Sequence, residues 1–269
     1  MTTTWVCRTC GTQYPPSDDP PGACPICEDP RQYVPAGGQV WLPWDEVVAG
    51  HAADVRDDHG ILGIGCAPEL GIGQRALLVK SAAGNVLWDC VPFLDADLVR
   101  RVAEEGGLAA IAISHPHFYT AMVEWAHAFG CPVWLHEAER KWVMRPDPLV
   151  RFWSGETQSL GGGLTLVRCG GHFEGAQALH WQERRALLSG DVVMVVPDRR
   201  YVSFMYSYPN LIPLPPSRVR AIAAALEPFA FETIHGAWWG RVIEADGSAV
   251  VRRSAERYVR AVGEPGLAS

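Results

Sequence analysis

Ser114-His115-Pro116-His117-Phe118-Tyr119 follows the apolar run from Leu108 to Ile113. Two histidines at i and i+2, on a strand or at its end, project the same way. Both imidazoles can therefore reach one metal ion. Further along come Gly171-His172-Phe173-Glu174-Gly175 and Ser189-Gly190-Asp191. An HxH, a GHxxG and an SGD in that order, each behind an apolar strand, read as one metal site gathered from distant parts of the chain.

The segments around these motifs alternate strand and helix patterns. Ile61–Ile64, Arg75–Ser81 and Asn85–Trp88 read as strands, and Asp95–Glu105 as a helix stopped by Gly106-Gly107. Leu108–Ile113 is a continuously apolar strand, buried on both faces. Tyr119–Phe129 reads as an amphipathic helix ended by Gly130, Pro132–Leu135 as a strand and Glu137–Met144 as a helix. The second half repeats the style. Leu164–Arg168, Ala176–Trp181, Ala186–Val196 and Phe231–Ile234 are expected strands, with helices over Ser217–Leu226 and Ala249–Val262. The fold class is α/β, with two sheets covered by helices on their outer faces.

Residues 1–38 differ from the rest. They are rich in Pro, Asp and Cys, and Pro35-Ala36-Gly37-Gly38 marks a boundary with the region 39–269. Cys7-Arg8-Thr9-Cys10-Gly11 and Cys24-Pro25-Ile26-Cys27 each offer two thiolates, together an S₄ metal knuckle. A segment with so little apolar matter folds on the free energy of metal binding. The pattern resembles a rubredoxin-like zinc ribbon. Zinc is the default ion and iron the alternative, in a structural role because all four positions are filled. Two arginines against four acids within residues 1–40 argue against phosphate binding and for docking on protein.

The totals fit this picture. The 269 residues are 48% hydrophobic and 20% charged, with a formal net charge of −7, as in a globular chain and unlike most nucleic-acid binders. Nucleic acid is thus not an expected partner. No signal peptide or membrane-spanning stretch is legible. With two CxxC pairs, a reducing cytoplasmic setting suits the cysteines better than disulfides do. Cys66, Cys90, Cys131 and Cys169 read as small apolar filler.

Taken together, the three histidine and aspartate motifs resemble the metallo-β-lactamase fold superfamily over about residues 55–262. Ile64-Gly65, Ala76–Val79 and Asn85–Asp89 support the likeness. It implies a four-layer αβ/βα sandwich, here preceded by the small zinc ribbon, with the metal site at one edge between the sheets. The superfamily's first motif commonly reads HxHxDH. Its HxH and GHxxG histidines hold one ion, its DH pair and a late histidine a second, and the SGD aspartate bridges them. Here His115, His117, His172 and Asp191 match, but Tyr119 and Thr120 stand in place of the DH pair. A phenol with a pKa of about 10 is a poor ligand at neutral pH. The resemblance therefore implies one catalytic divalent ion on His115, His117, His172 and Asp191, with zinc expected and iron or manganese as alternatives. The candidate catalytic residues are Asp191, the late histidine His235, as leaving-group partner, and Tyr119, as hydrogen-bond donor or filler of the second position.

An open single-ion site that acidifies bound water to a pKa of roughly 7 suits hydrolysis. The expected function is a metal-dependent hydrolase of a small-molecule ester, thioester, lactone or related bond. The alternatives are a mononuclear non-haem iron oxygenase resembling persulfide dioxygenases, and a degenerate member that only binds. The aromatic segment Ser203–Leu214 and Trp238-Trp239 read equally as a pocket wall, as packing, or as a face between two copies of a homo-oligomer.

Overall fold

Residues 2–263 are described by a computed structural model of the chain, so the last six residues of the 39–269 region lie outside the described residues. The first sheet runs in spatial and chain order from β3 (Ala52–Asp57) through β4 (Leu62–Ala67), β5 (Ala76–Val79), β6 (Val86–Trp88), β7 (Ala110–Ala112) and β8 (Val133–His136) to β9 (Val150–Trp153). Strands β3 to β6 are antiparallel and β6 to β9 parallel. The change of direction coincides with the crossover helices α3 (Ala96–Glu104) and α4 (Met122–Phe129), because parallel neighbours need a long return connection. The second sheet has the order β10 (Thr157–Gly161), β11 (Leu164–Arg168), β12 (Gln177–Trp181), β13 (Ala186–Gly190), β18 (Thr233–Gly236), β19 (Val242–Ile243). Helices α5 (Pro216–Leu226) and α6 (Gly247–Gly263) accompany it.

Side chains alternate between two cores, as strand geometry requires. Leu77, Val79, Val86, Trp88, Ala110 and Ala112 of the first sheet meet Leu166, Leu179, Trp181, Ala186 and Leu188 of the second in one cluster between the sheets. Their neighbours Leu78, Leu87 and Ile111 turn the other way, onto α3 and α4. Val167, Ala178 and Leu187 turn onto α5 and α6. The result is the expected four-layer metallo-β-lactamase sandwich of helices, sheet, sheet and helices.

Several boundaries moved, each for a local reason. Helix α3 starts where read, with the Asp95 carboxylate accepting from the Leu98 N–H at 2.7 Å. The helix expected over Tyr119–Phe129 begins only at Met122, because Thr120 has φ +33° and breaks the ladder. Gly130 closes it in the left-handed conformation. Glu137–Trp142 is a 3-10 rather than an α-helix. The strand expected over Ala186–Val196 breaks at Gly190, leaving β14 (Met194–Val195), which pairs with β15 (Val202–Ser203). Strands β3, β9, β10 and β19 were not anticipated, nor was the hairpin of β16 (Met205–Ser207) and β17 (Ile212–Pro213).

At the N-terminus, β1 (Trp5–Cys7) pairs with β2 (Trp41–Pro43), so the small sheet reaches past residue 38. The short helix α1 (Pro25–Glu28) carries the second CxxC, and α2 (Trp44–Gly50) leads into the first sheet. All eight cysteines are free thiols, with only Cys66 outside the buried set. No helix among the described residues is long and apolar enough to cross a membrane.

Leu188 is sealed between the sheets, whereas Leu211 is 79% exposed. Leu188→Ala is expected to lower the unfolding free energy by about 2–5 kcal/mol. Leu211→Ala should change it by less than about 0.5 kcal/mol. Urea titrations compare the two, and similar losses would contradict the inter-sheet placement.

Candidate metal centre

His115 and His117 do not reach the site by strand alternation. β7 ends at Ala112, His115 is extended, and Pro116 starts a 3-10 turn over Pro116–Phe118 that carries His117. Proline suits that first position because it needs no donor there and its φ is already helical. Asp89, at the end of β6 with φ +61°, accepts from the Ser114 N–H at 2.7 Å and holds the start of this turn. Burial pushes the Asp89 carboxyl up to about 7. From the opposite sheet, the Gln177 N–H donates to the Ser114 carbonyl at 2.9 Å. The buried side-chain amide of Gln177 donates to the carbonyls of Ile113 and Trp134 at 2.7 and 3.2 Å and accepts from Trp153 Nε1 at 2.8 Å. Sequence reading had no signal for Gln177, whose role rests on pairing across sheets.

His172 lies in the loop between β11 and β12, and Asp191 directly follows β13. Gly190, between Ser189 and Asp191, has φ +56°, and a Cβ there would lie 2.5 Å from Ser114 Oγ. Only glycine lets the SGD turn approach the HxH turn this closely.

The four residues converge. One ligating atom from each of His115, His117, His172 and Asp191 lies within 4.8 Å of the others, and all four side chains are buried. His115 Nε2 is 3.1 Å from Asp191 Oδ1, and His172 Nε2 is 3.8 Å from the same oxygen. His172 Nε2 and His117 Nδ1 are 3.3 Å apart. Yet His115 Nε2 and Asp191 Oδ1 are buried without a hydrogen-bond partner, and His117, whose Nδ1 faces His172, has its other ring nitrogen buried and unpartnered too. Orphaned, convergent lone pairs of this kind fit a divalent cation.

The surroundings tune them for it. His172 Nδ1 donates to the Met205 carbonyl at 3.1 Å, which leaves Nε2 free to ligate. His115 Nδ1 is 3.1 Å from Ser114 Oγ. Burial pushes the His172 imidazole down to about 4, and burial and the neighbouring rings hold His115 and His117 well below their ordinary value. All three rings are thus neutral lone-pair donors. Burial and then Asp89 push the Asp191 carboxyl well up, a shift that a cation's own charge opposes.

Beside this cluster is a cavity of about 170 Å³ lined in part by His117, His172 and Asp191, with Ile72, Tyr208 and Trp238 as apolar wall. The Tyr208 hydroxyl donates to the Asp191 carbonyl at 2.7 Å. Trp238 therefore lines the pocket, while Phe204 is core.

The two remaining candidates lie elsewhere. Tyr119 is packed in the core between the first sheet and its helices and does not line the cavity. Burial, with a contribution from Glu139, raises its pKa well above the ordinary value and keeps it a neutral phenol. His235, on β18, stands outside the four-residue cluster. Its Nδ1 is buried without a partner, and burial and then Arg75 push its pKa down to about 4. Arg75 is itself buried in an ion pair with Asp58, at 2.6 Å.

The four knuckle cysteines also converge, with Sγ–Sγ separations of 3.6 Å for Cys7–Cys27 and for Cys10–Cys24. An S₄ tetrahedron with metal–sulfur bonds of about 2.3 Å has edges of about 3.8 Å. The cluster is compatible with an N-terminal zinc ribbon.

No family model matches the chain. Among solved structures it is similar to the DIM-1 metallo-β-lactamase, with a TM-score of 0.58 and 16% identity, covering 78% of this chain and 98% of that one. A metallo-β-lactamase from Pontibacter korlensis is similar with a TM-score of 0.53 and 15% identity, covering 81% and 94%. At these identities the likeness concerns the fold. The uncharacterized protein YmaE of Bacillus subtilis (strain 168) is 43% identical over 265 residues, 96% of either chain. This chain has the metallo-β-lactamase fold, and it belongs to the family of YmaE.

Proposed function

We propose that the chain is a metal-dependent hydrolase with a single-ion site on His115, His117, His172 and Asp191, acting on a small-molecule ester, thioester, lactone or related bond. The observation that carries this reading is the convergence of four buried side chains, with His115 Nε2 and Asp191 Oδ1 unpartnered, beside a cavity of about 170 Å³ lined by three of them. Four thiolates close the knuckle, whereas the His₃Asp set borders the cavity, where a fifth position on the ion would face water or substrate. When bound, a divalent cation supplies Lewis-acid polarisation and acidifies water. The chain's own groups do the rest. Neutral imidazoles at His115, His117 and His172 hold the ion, and Met205 fixes the His172 tautomer. Tyr208 steadies the Asp191 backbone. Ile72, Tyr33, Pro209 and Trp238 wall the cavity.

The missing DH pair supports one ion rather than two. Tyr119 is buried in the core, and Thr120 turns back on itself, its hydroxyl 3.5 Å from the Phe118 carbonyl. The small cavity favours a compact reacting group, and zinc is the ion proposed for both sites.

Elemental analysis of protein purified without added metal should find two ions per chain, one of them in the knuckle. A third would overturn the single-ion reading. Iron in the His₃Asp site, with oxygen uptake on thiol substrates, would favour the oxygenase instead.

His117→Ala should remove one ion while sparing the knuckle. It should also cut turnover of ester, thioester or lactone substrates on the order of 100-fold or more, beyond the loss typical of outer-shell partners. A substrate panel measured alongside metal content checks both. Full activity without that ion would sink the hydrolase proposal.

A further inference from the structure

The knuckle is more than an appended module. Its segment Arg31-Gln32-Tyr33 forms one wall of the cavity beside His117, His172 and Asp191. Arg31 is fixed from several sides at once. Its Nε and Nη2 form a fork on the Asp29 carboxylate at 2.5 and 2.7 Å, and both side chains are largely buried. Its Nη1 donates to the backbone carbonyl of His172 at 3.2 Å. The guanidinium lies over the Phe173 ring, with Cζ 3.8 Å from the centroid. Phe173 in turn touches all three histidines, with centroid separations of 5.4 Å to His115, 4.9 Å to His117 and 5.2 Å to His172.

The β16–β17 hairpin clasps the same stretch. Ser207 Oγ donates to the Arg31 carbonyl at 3.0 Å, and Asn210 Nδ2 donates to the carbonyls of Pro30 and Gln32 at 3.1 and 2.9 Å. That hairpin also provides the Met205 carbonyl that orients His172. A second dock lies at the HxH turn. The Gln13 N–H donates to the Thr120 carbonyl at 3.2 Å, and Gly11, with φ +78°, leaves no room for a Cβ against Pro92 and Thr120. Thr120, which stands where the superfamily's first motif often has a histidine, is thus a seat for the knuckle.

We propose that Arg31 is a positioning residue for the His₃Asp centre, through the His172 carbonyl and the Phe173 ring, and that the Cys₄ knuckle serves to hold it there. The knuckle then completes the catalytic pocket, and ordering of residues 24–33 sets the affinity of the neighbouring site for its ion. This rests on the single-ion reading above but assigns a separate dependence. Guanidinium geometry matters: a lysine cannot form the Asp29 fork, reach the His172 carbonyl and stack on Phe173 together.

The test is a Co²⁺ titration of full-length, metal-stripped protein under reducing conditions. Thiolate-to-cobalt charge-transfer absorption reports the knuckle, and the weaker visible bands of a nitrogen–oxygen site report His₃Asp. In Arg31→Ala the knuckle signal should persist while Co²⁺ affinity at the His₃Asp site falls about tenfold or more, the scale for outer-shell partners. Arg31→Lys should not restore it. Asn210→Ala, which loosens the clasp without touching the ligands, should weaken the same site by a smaller factor and keeps the test informative where Arg31→Ala fails to fold. Unchanged His₃Asp affinity in these variants, with the knuckle signal intact, overturns the proposal. Absence of a His₃Asp signal in the unsubstituted protein would instead overturn the metal-site reading itself.

Discussion

Three imidazoles and one carboxylate are held out of water with their lone pairs turned toward one another. That arrangement is unfavourable for a polypeptide on its own, since buried polar atoms without partners cost roughly 1–3 kcal/mol each. His115 Nε2 and Asp191 Oδ1 sit 3.1 Å apart, yet neither has a hydrogen-bond partner. Much of the surrounding architecture keeps this cluster from relaxing. Asp89 and Gln177 pin the HxH turn from opposite sheets, Gly190 permits the close approach of the SGD turn, and Met205 fixes the His172 ring. The sandwich supplies rigid strand ends from which short loops reach inward, so that a few residues per loop suffice to place each ligand.

The four converging residues were legible in the sequence because each sits in a short motif with its own local logic. Two histidines flank a proline, one lies between glycines, and an aspartate follows Ser-Gly. The layer order was legible too, since each half reads as strands followed by alternating strands and helices, with Leu108–Ile113 apolar on both faces. What escaped was long-range. Arg31 stands 141 residues from the His172 carbonyl it contacts, and no periodicity or motif marks that pairing. Tyr119 shows the converse. Its place in the motif suggested chemistry, but Thr120 at φ +33° and the apolar surroundings draw it into the core. His235 also sits at a strand as read, yet its neighbourhood is the Asp58–Arg75 pair, which no local pattern announces.

Two parts of the chain with different sources of order meet at the cavity. The sandwich is held by three large apolar clusters, while the N-terminal segment has a small core of Tyr14, Ile26 and the four cysteines. The negative balance of residues 1–40 had pointed to a protein surface as the segment's partner. In the structure, its polar side chains and carbonyls engage Glu124, Arg145, Ser207 and Asn210 of the same chain.

Gln177 has a bearing on how the molecule comes apart. Each half of the sandwich has its own sheet and its own covering helices, a layout that could in principle melt in two stages. The Gln177 side chain, with no exposed surface, satisfies two first-sheet carbonyls and the Trp153 indole from a second-sheet strand. Parting the sheets would strand all of these groups at once in an apolar interface. Separating the sheets costs these three contacts together, which couples the two halves in unfolding.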